Sequence, residues 1–211
     1  DTTETEFDNS SKVVKVSGGT FSSEVDASLI KDGCKLISVN GAYGVFEKQI
    51  LGASVTLGED ISFNYYVKTK TDSTVVTVKY MKNGVLTEET LTDFVAMTNS
   101  KYAGKYVFKG ITPQMIGRGI TIVYTDGTNY DVIENYSVAD YLERAYKNAS
   151  NTAETKQLAA DAMYYGLAAM KYRKADEADI ADVQARITEL GMTQSAVEMT
   201  DSSLREGENI V

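Results

Sequence analysis

The sequence contains no histidine and no tryptophan, and only one cysteine and one proline among its 211 residues. Without an imidazole, Ser-His-Asp and Cys-His catalysis and His-ligated metal sites are excluded. A single thiol, Cys34, cannot form an internal disulfide, and no cysteine cluster indicates zinc or an iron-sulfur centre. We therefore expect a chain that is not an enzyme and holds no cofactor and no metal, with Cys34 as a small buried thiol.

Basic residues are also fewer than acidic ones. The chain has 21 basic and 30 acidic residues, a net charge of −9, which repels nucleic acid and anionic lipid surfaces. No apolar run approaches the roughly 18 residues of a membrane span, so we expect neither a nucleic-acid partner nor membrane insertion. With 43% hydrophobic and 24% charged residues, the composition indicates a globular protein. The length of 211 residues allows one large domain or a main domain with a small partner.

Residues 12–48 form the predicted small partner, a β unit. A short apolar strand covers 13–16, and strands at 35–39 and 42–47 flank Asn40-Gly41, a dipeptide typical of a type I′ hairpin turn. The polar and acidic segment 1–11 before this unit predicts a linker left after processing.

The main unit, 49–191, begins with period-two alternation, which is typical of a sheet with one buried face. In the segment ISFNYYVK, Ile61, Phe63, Tyr65 and Val67 share a side. Further hairpins are predicted at Asn83-Gly84 and Asp126-Gly127. Seven strands are predicted, at 54–57, 61–68, 74–82, 85–91, 106–109, 119–124 and 129–136. Their spacing indicates an antiparallel, sandwich-like module, with a turn or short helix at Pro113.

From Ser137 the apolar period becomes 3.6, which predicts a helical layer packed on the sheet. Ser137 and Asp140 form a capping-box pattern at the start of the first helix, and a second start signal lies at 151–154. A third helix is predicted at 177–190 and a polar tail or linker at 192–211. The predicted core stripe of the second helix is Leu158, Ala162, Tyr165, Ala169 and Tyr172, with Ala159, Met163, Gly166 and Met170 beside it.

Two stretches resemble parts of large secreted and cell-surface proteins from gut and fibre-degrading Gram-positive anaerobes. The segment 16–47, with SGGTFS at 17–22 and NGAYGV at 40–45, resembles a short repeat of those proteins. Four blocks, ILGASVTLGEDISFNYYV, YVFKGITPQMIGRGITIVY, YSVADYLERAYKNA and LAADAMYYGLAAMKY, are together similar to an uncharacterised ancillary module that recurs in them. The resemblance implies an extracellular or cell-surface location and a non-catalytic role, and it carries over no binding residues.

Tyrosine-rich strands supply the candidate binding residues. Tyr66 and Asn64 point away from the predicted core, where a ring and an amide suit sugar recognition, unless a helix layer covers that face. The hairpin 125–131 places Asp126, Asn129 and Tyr130 at a strand end. Its oxygens are also a candidate Ca²⁺ site, although turn geometry alone explains Asp-Gly. Tyr124 is a further candidate on a strand side that we expect to be buried.

The sequence thus predicts an α+β protein with a small β unit, an antiparallel β-sandwich-like module and a C-terminal helical layer. The predicted function is a non-catalytic extracellular spacer or adhesion module of a larger surface or secreted protein. The alternative is a carbohydrate-binding module that uses Tyr and Asn side chains. The expected partners are glycans or other cell-surface components.

Overall fold

The computed structural model describes residues 5–8, 13–39, 41–58, 60–82, 84–98 and 100–196. Within these ranges the chain forms mostly antiparallel sheets followed by three α-helices. The strands are β1 (Thr5–Asp8), β2 (Val13–Val16), β3 (Gly19–Phe21), β4 (Cys34–Val39), β5 (Ala42–Glu47), β6 (Ile50–Leu57), β7 (Ile61–Val67), β8 (Val75–Lys82), β9 (Val85–Thr90), β10 (Phe94–Ala96), β11 (Gly104–Ile111), β12 (Ile120–Thr125) and β13 (Tyr130–Tyr136). The helices are α1 (Val138–Lys147), α2 (Ala153–Tyr172) and α3 (Glu177–Glu189).

The strands pair in sheets of order β1-β2, β3-β5-β4, β10-β11-β7-β6 and β13-β12-β8-β9. Three of these strands, β1, β3 and β10, were not predicted. Within the segment 1–11, which the sequence predicts as a linker, Thr5–Asp8 forms a strand that pairs antiparallel with β2. The remaining residues of that segment lie outside the described ranges.

The predicted hairpins are confirmed by strand register. Val39 pairs with Ala42 and Lys82 with Val85, and Gly41 and Gly84 have positive φ values of 82° and 77°. This left-handed conformation favours glycine, as the turn chemistry requires. The partner asparagines, at positions 40 and 83, lie outside the described residues.

Both four-stranded sheets contribute to a single core. On β7, Phe63, Tyr65 and Val67 are fully buried, as the alternation predicts. Rings from the two sheets meet: Phe63 lies 5.8 Å from Tyr136 of β13, measured between ring centres. The hydroxyl of Tyr65 has no hydrogen-bond partner among the described residues, and burial raises the pKa of this phenol.

A buried carboxylate joins the small β unit to the main body. Asp131 on β13 is fully buried and forms an ion pair with Lys35 of β4, 2.6 Å between Oδ1 and Nζ. Its Oδ2 accepts hydrogen bonds from the backbone amides of Gln49 and Ile50, at 2.7 and 2.8 Å. The three-stranded sheet is therefore attached to the main body through hydrogen bonds and charge as well as through the chain.

The start of α1 has the predicted capping box. Ser137 Oγ accepts from the Asp140 amide, and Asp140 Oδ2 accepts from the Ser137 amide at 2.7 Å. Arg186 of α3 donates to Asp140 Oδ1 at 2.7 Å and to Glu143 Oε2 at 2.6 Å, which ties α3 to α1. Burial raises the pKa of Asp140, and the hydrogen bonds from Ser137 and Arg186 outweigh it, so the net pKa is below the usual value.

The predicted apolar face of α2 is confirmed at Ala159, Met163, Gly166 and Met170, which are buried, and it is wrong at three other positions. Leu158, Tyr165 and Tyr172 are 58%, 65% and 82% exposed. The helix buries the neighbouring stripe instead, which consists of Ala159, Ala160, Met163, Gly166, Leu167 and Met170. Both stripes are apolar, so periodicity alone does not distinguish them.

The buried stripe of α2 packs on the 3₁₀ turn Pro113–Met115 and the residues that follow it. Gly166 lies directly against Ile116, and an added Cβ would be 2.0 Å from the Cδ1 of Ile116. Gly117 lies in the same way against Val183 of α3. The expectation that Gly166 and its small neighbours lie on a sheet is therefore corrected, because the β11–β12 connection stands between α2 and the strands.

The third helix buries Val183 and Ile187. Two residues of the segment predicted as a tail or linker are held in the fold: Met192 is buried, and Ser195 donates from its amide to Asp161 Oδ1 of α2 at 2.8 Å. Residues 197–211 lie outside the described ranges. No helix in the described part of the chain is long and apolar enough to cross a membrane.

Candidate functional site

The side of sheet β10-β11-β7-β6 that faces away from the core carries the candidate site. In register, Tyr66 stands between Gly52 of β6 and Lys105 of β11, and Asn64 stands opposite Ser54. Because side chains alternate along a strand and Phe63 and Tyr65 point into the core, Asn64 and Tyr66 point away from it. We call Ser54, Asn64, Tyr66, Tyr102 and Lys105 the outer face.

Tyr66 is half-buried, and its ring packs on another ring. The centre of the Tyr102 ring lies 5.0 Å away with the two planes tilted by 41°, and the Tyr66 hydroxyl is 3.1 Å from Ser54 Oγ. These contacts come from the sheet and from the segment that leads into β11. The alternative that a helix layer buries Tyr66 is therefore not favoured, since α2 packs at Ile116 instead.

Asn64 is the polar centre of the outer face. Only 3% of this residue is exposed, and its amide nitrogen donates to Thr56 Oγ1 at 2.9 Å. Its amide oxygen accepts from Lys105 Nζ at 2.9 Å. These bonds fix both the amide and the ammonium group, so the outer face has a defined arrangement of rings and donors.

The Lys105 ammonium group and Tyr102 were not identified from the sequence. Tyr102 precedes β11 in a connection without regular alternation. Lys105 could have been identified, because Tyr106 and Phe108 point into the core and the alternation places their neighbour on the opposite side.

The second set of candidates forms a closed network at the β12–β13 hairpin. Asp126 Oδ1 accepts from the amides of Asn129, at 2.7 Å, and Thr128, at 3.0 Å. Its Oδ2 accepts from Asn129 Nδ2 and from the Tyr124 hydroxyl, both at 3.1 Å. Burial raises the pKa of Asp126, but these hydrogen bonds lower it to a net value below the usual range. The arrangement is that of a turn in which both carboxylate oxygens accept hydrogen bonds from the same hairpin.

Tyr124 cannot stack on a ligand, because its side chain is fully buried, as expected from its strand side. Its hydroxyl lies 3.0 Å from Thr69 Oγ1. Burial raises the pKa of this phenol. Tyr130 is half-buried next to Phe46 of β5, with 6.1 Å between ring centres. The hairpin candidates therefore lie on the β13 sheet, and Tyr66 lies on the other sheet, with no recorded contact between them in the described residues.

Two further features concern metal binding and the reactivity of the Cys34 thiol. Among the described residues, no group of three or more Cys, Asp and Glu side chains is arranged to hold a metal ion. Burial raises the pKa of the Cys34 thiol, whose Sγ lies 3.5 Å from the carbonyl oxygen of Ser17. A raised pKa reduces the thiolate fraction, which is the opposite of an activated nucleophile.

An apolar groove of about 270 Å³ lies where the helices meet the strand ends. Ile61, Ile111 and Leu142 line it together with Tyr165, and Asp60 is its one acidic lining residue in the described part of the chain. The described lining residues thus supply one carboxylate, whereas a glycoside hydrolase uses a pair.

Comparison of the chain with protein-family models, with curated proteins and with solved structures gave no match.

Proposed function

We propose that this chain is a non-catalytic adhesion module of a larger cell-surface or secreted protein, and that it adheres by binding carbohydrate on its outer face. The observation that carries the proposal is the Tyr66–Tyr102 ring pair beside the fixed amide of Asn64 and the ammonium of Lys105. Aromatic rings pack on the C–H faces of sugars, and an ammonium group donates hydrogen bonds to their hydroxyls. The buried Asn64 amide holds the Lys105 ammonium in place.

The other parts of the proposal have different support. The extracellular location and the non-catalytic role rest on the family resemblance of segment 16–47 and of the four later blocks. The absence of histidine from the sequence agrees with a non-catalytic role. The sandwich-like arrangement is supported by contacts between the two four-stranded sheets, such as the 5.2 Å between the ring centres of Tyr80 and Phe108.

A rigid spacer is the second candidate, and one observation favours it. Asp131 holds the small β unit to the main body through Lys35 of β4, whose ammonium also donates to the carbonyl oxygen of Val132 at 2.9 Å. A module that keeps a fixed distance between its neighbours needs such a rigid internal connection and needs no ligand.

A binding experiment with matched tyrosine variants distinguishes the two candidates. Plant cell-wall and mucin oligosaccharides are titrated calorimetrically against wild type, Tyr66→Ala and Tyr172→Ala. Tyr172 is the control, because it is a tyrosine that is 82% exposed on α2, a helix that contributes no residue to the outer face. Loss of a stacking ring should weaken binding at least about fivefold, since aromatic contacts contribute about 1 kcal/mol beyond the buried area.

Binding that is reduced in Tyr66→Ala and unchanged in Tyr172→Ala supports the outer face. A Tyr130→Ala variant tests the hairpin candidate in the same series. Equal binding by wild type and Tyr66→Ala contradicts the outer face as the site. If wild type binds none of the oligosaccharides, carbohydrate binding is wrong and the spacer is favoured.

A further inference from the structure

Two lysines give the outer face a charge opposite to that of the whole protein. Lys105 and Lys101 lie at the ring pair, and neither forms an ion pair within the described residues, whereas Lys35, Lys68 and Lys79 elsewhere each have a carboxylate partner. In a chain of net charge −9, two ammonium groups without such a partner at one place make a local positive region.

The position of each ammonium is determined by a neutral group. Lys105 Nζ donates to Asn64 Oδ1 at 2.9 Å. Lys101 Nζ lies 5.1 Å from the centre of the Tyr102 ring, which is a cation–π distance. An amide oxygen and a π face orient these ammonium groups without neutralising them. Each ammonium has three N–H donors, so donors remain for a ligand.

Building on the proposed carbohydrate binding, we propose that the ligand of the outer face is an acidic oligosaccharide that carries an isolated anionic group on an otherwise neutral chain. A neutral sugar ring packs against Tyr66, and a carboxylate or sulfate group pairs with Lys105 and Lys101. An ammonium is a compact charge with rotatable donors, and it accepts either anion. The net charge of −9 repels a densely charged polymer, which is why the ligand has sparse charge.

The test uses oligosaccharide pairs that differ only in the anionic group. Xylo-oligosaccharides with and without one glucuronic acid branch test the carboxylate, and lactosamine oligomers with and without one sulfate test the sulfate. The proteins are wild type, Lys105→Gln, Lys101→Gln and Lys82→Gln. Lys82 is the matched control because it is an exposed strand lysine at the end of β8 in the other sheet.

We expect the acidic member of at least one pair to bind wild type about three- to fivefold more tightly than its neutral counterpart, as exposed ion pairs are worth up to about 1 kcal/mol. Lys105→Gln or Lys101→Gln should remove this preference, and Lys101→Gln should leave the neutral affinity unchanged. Lys82→Gln should affect neither the preference nor the neutral affinity. Added salt should weaken only the acidic ligand, since the screening length is about 8 Å at 0.15 M.

The outcomes separate this inference from the proposal on which it rests. If wild type binds neutral and acidic members equally, the charge preference is wrong and carbohydrate binding stands. If the preference persists in both Lys105→Gln and Lys101→Gln, the assignment to this face is wrong. If wild type binds neither member of either pair or any neutral oligosaccharide, both proposals fail together.

Discussion

The contact between Gly166 and Ile116 predicts that Gly166→Ala destabilises the wild-type protein and stabilises an Ile116→Ala variant. A Cβ at position 166 would lie 2.0 Å from the Cδ1 and 2.6 Å from the Cγ1 of Ile116. Ile116 is itself buried, at 1% exposed, so its side chain has little room to move. We therefore expect even the small change Gly166→Ala to overpack the interface between α2 and the 3₁₀ turn.

The magnitude follows from two opposing effects. Overpacking a buried contact costs about 1–3 kcal/mol, whereas alanine is about 1 kcal/mol better than glycine inside a helix. Gly166→Ala should therefore lower the free energy of unfolding by about 0–2 kcal/mol. In an Ile116→Ala background the close atoms are gone, and the same change should raise that free energy by about 1 kcal/mol.

The assay is urea unfolding of the four proteins of this double-mutant cycle, with thermal melting as a second measure. For a chain of this size, 1 kcal/mol corresponds to about 2–4 °C in Tm. Ala168→Gly calibrates the helix preference, because Ala168 is exposed on the same helix. If Gly166→Ala stabilises wild type by as much as it stabilises Ile116→Ala, the two side chains are not in contact and the reasoning is refuted.

Three more predictions follow from buried polar groups. Asp131→Asn should lower the free energy of unfolding by about 3–5 kcal/mol, because it leaves a lysine and two amides without their carboxylate. A loss under about 1 kcal/mol in urea unfolding would contradict this prediction. Tyr65→Phe should be neutral or stabilising, since the lost hydroxyl has no partner among the described residues, and a clear loss in Tm would show that it has one. The pKa of Asp140 is lower in the folded state than in the unfolded state. Its contribution to the free energy of unfolding is therefore present above its unfolded pKa of about 3.9 and is lost as the pH falls through its folded pKa. Wild type should therefore lose stability below about pH 4 more steeply than Arg186→Gln, and equal slopes would contradict the ion pair.

The strands were predictable wherever alternation was long enough to observe. The predicted bounds of Val13–Val16 and Ala42–Glu47 agree with the structure, and the hairpin dipeptide at 40–41 identified the pairing of β5 with β4. The pairing of β2 with β1 was not predicted. The missed strands Gly19–Phe21 and Phe94–Ala96 have three residues each, too few to show a period of two. Their pairing depends on neighbours far away in the sequence.

The helices show a different limit. Their starts and lengths followed from caps and period, but the buried side of α2 did not, because alanine and other apolar residues occur on two adjacent stripes. The turn Pro113–Met115 and Ile116 decide which stripe is buried, and they lie about 50 positions earlier in the chain. Glycine at 166 is a local sign of this choice, since close approach to a branched side chain requires a residue without a Cβ.

The outer face depends on register in the same way. Tyr66 and Asn64 followed from alternation within one strand, but their meeting with Lys105 depends on the pairing of β7 with β11, in which Lys105 stands opposite Tyr66. A slip of one residue would move Lys105 toward the core and Tyr106 to the surface. The burial of Tyr106 and Phe108 opposes that slip, because both rings would have to leave the core. The apolar side of β11 thus holds the ammonium beside the ring pair, and the core of this sheet determines the chemistry of its outer face.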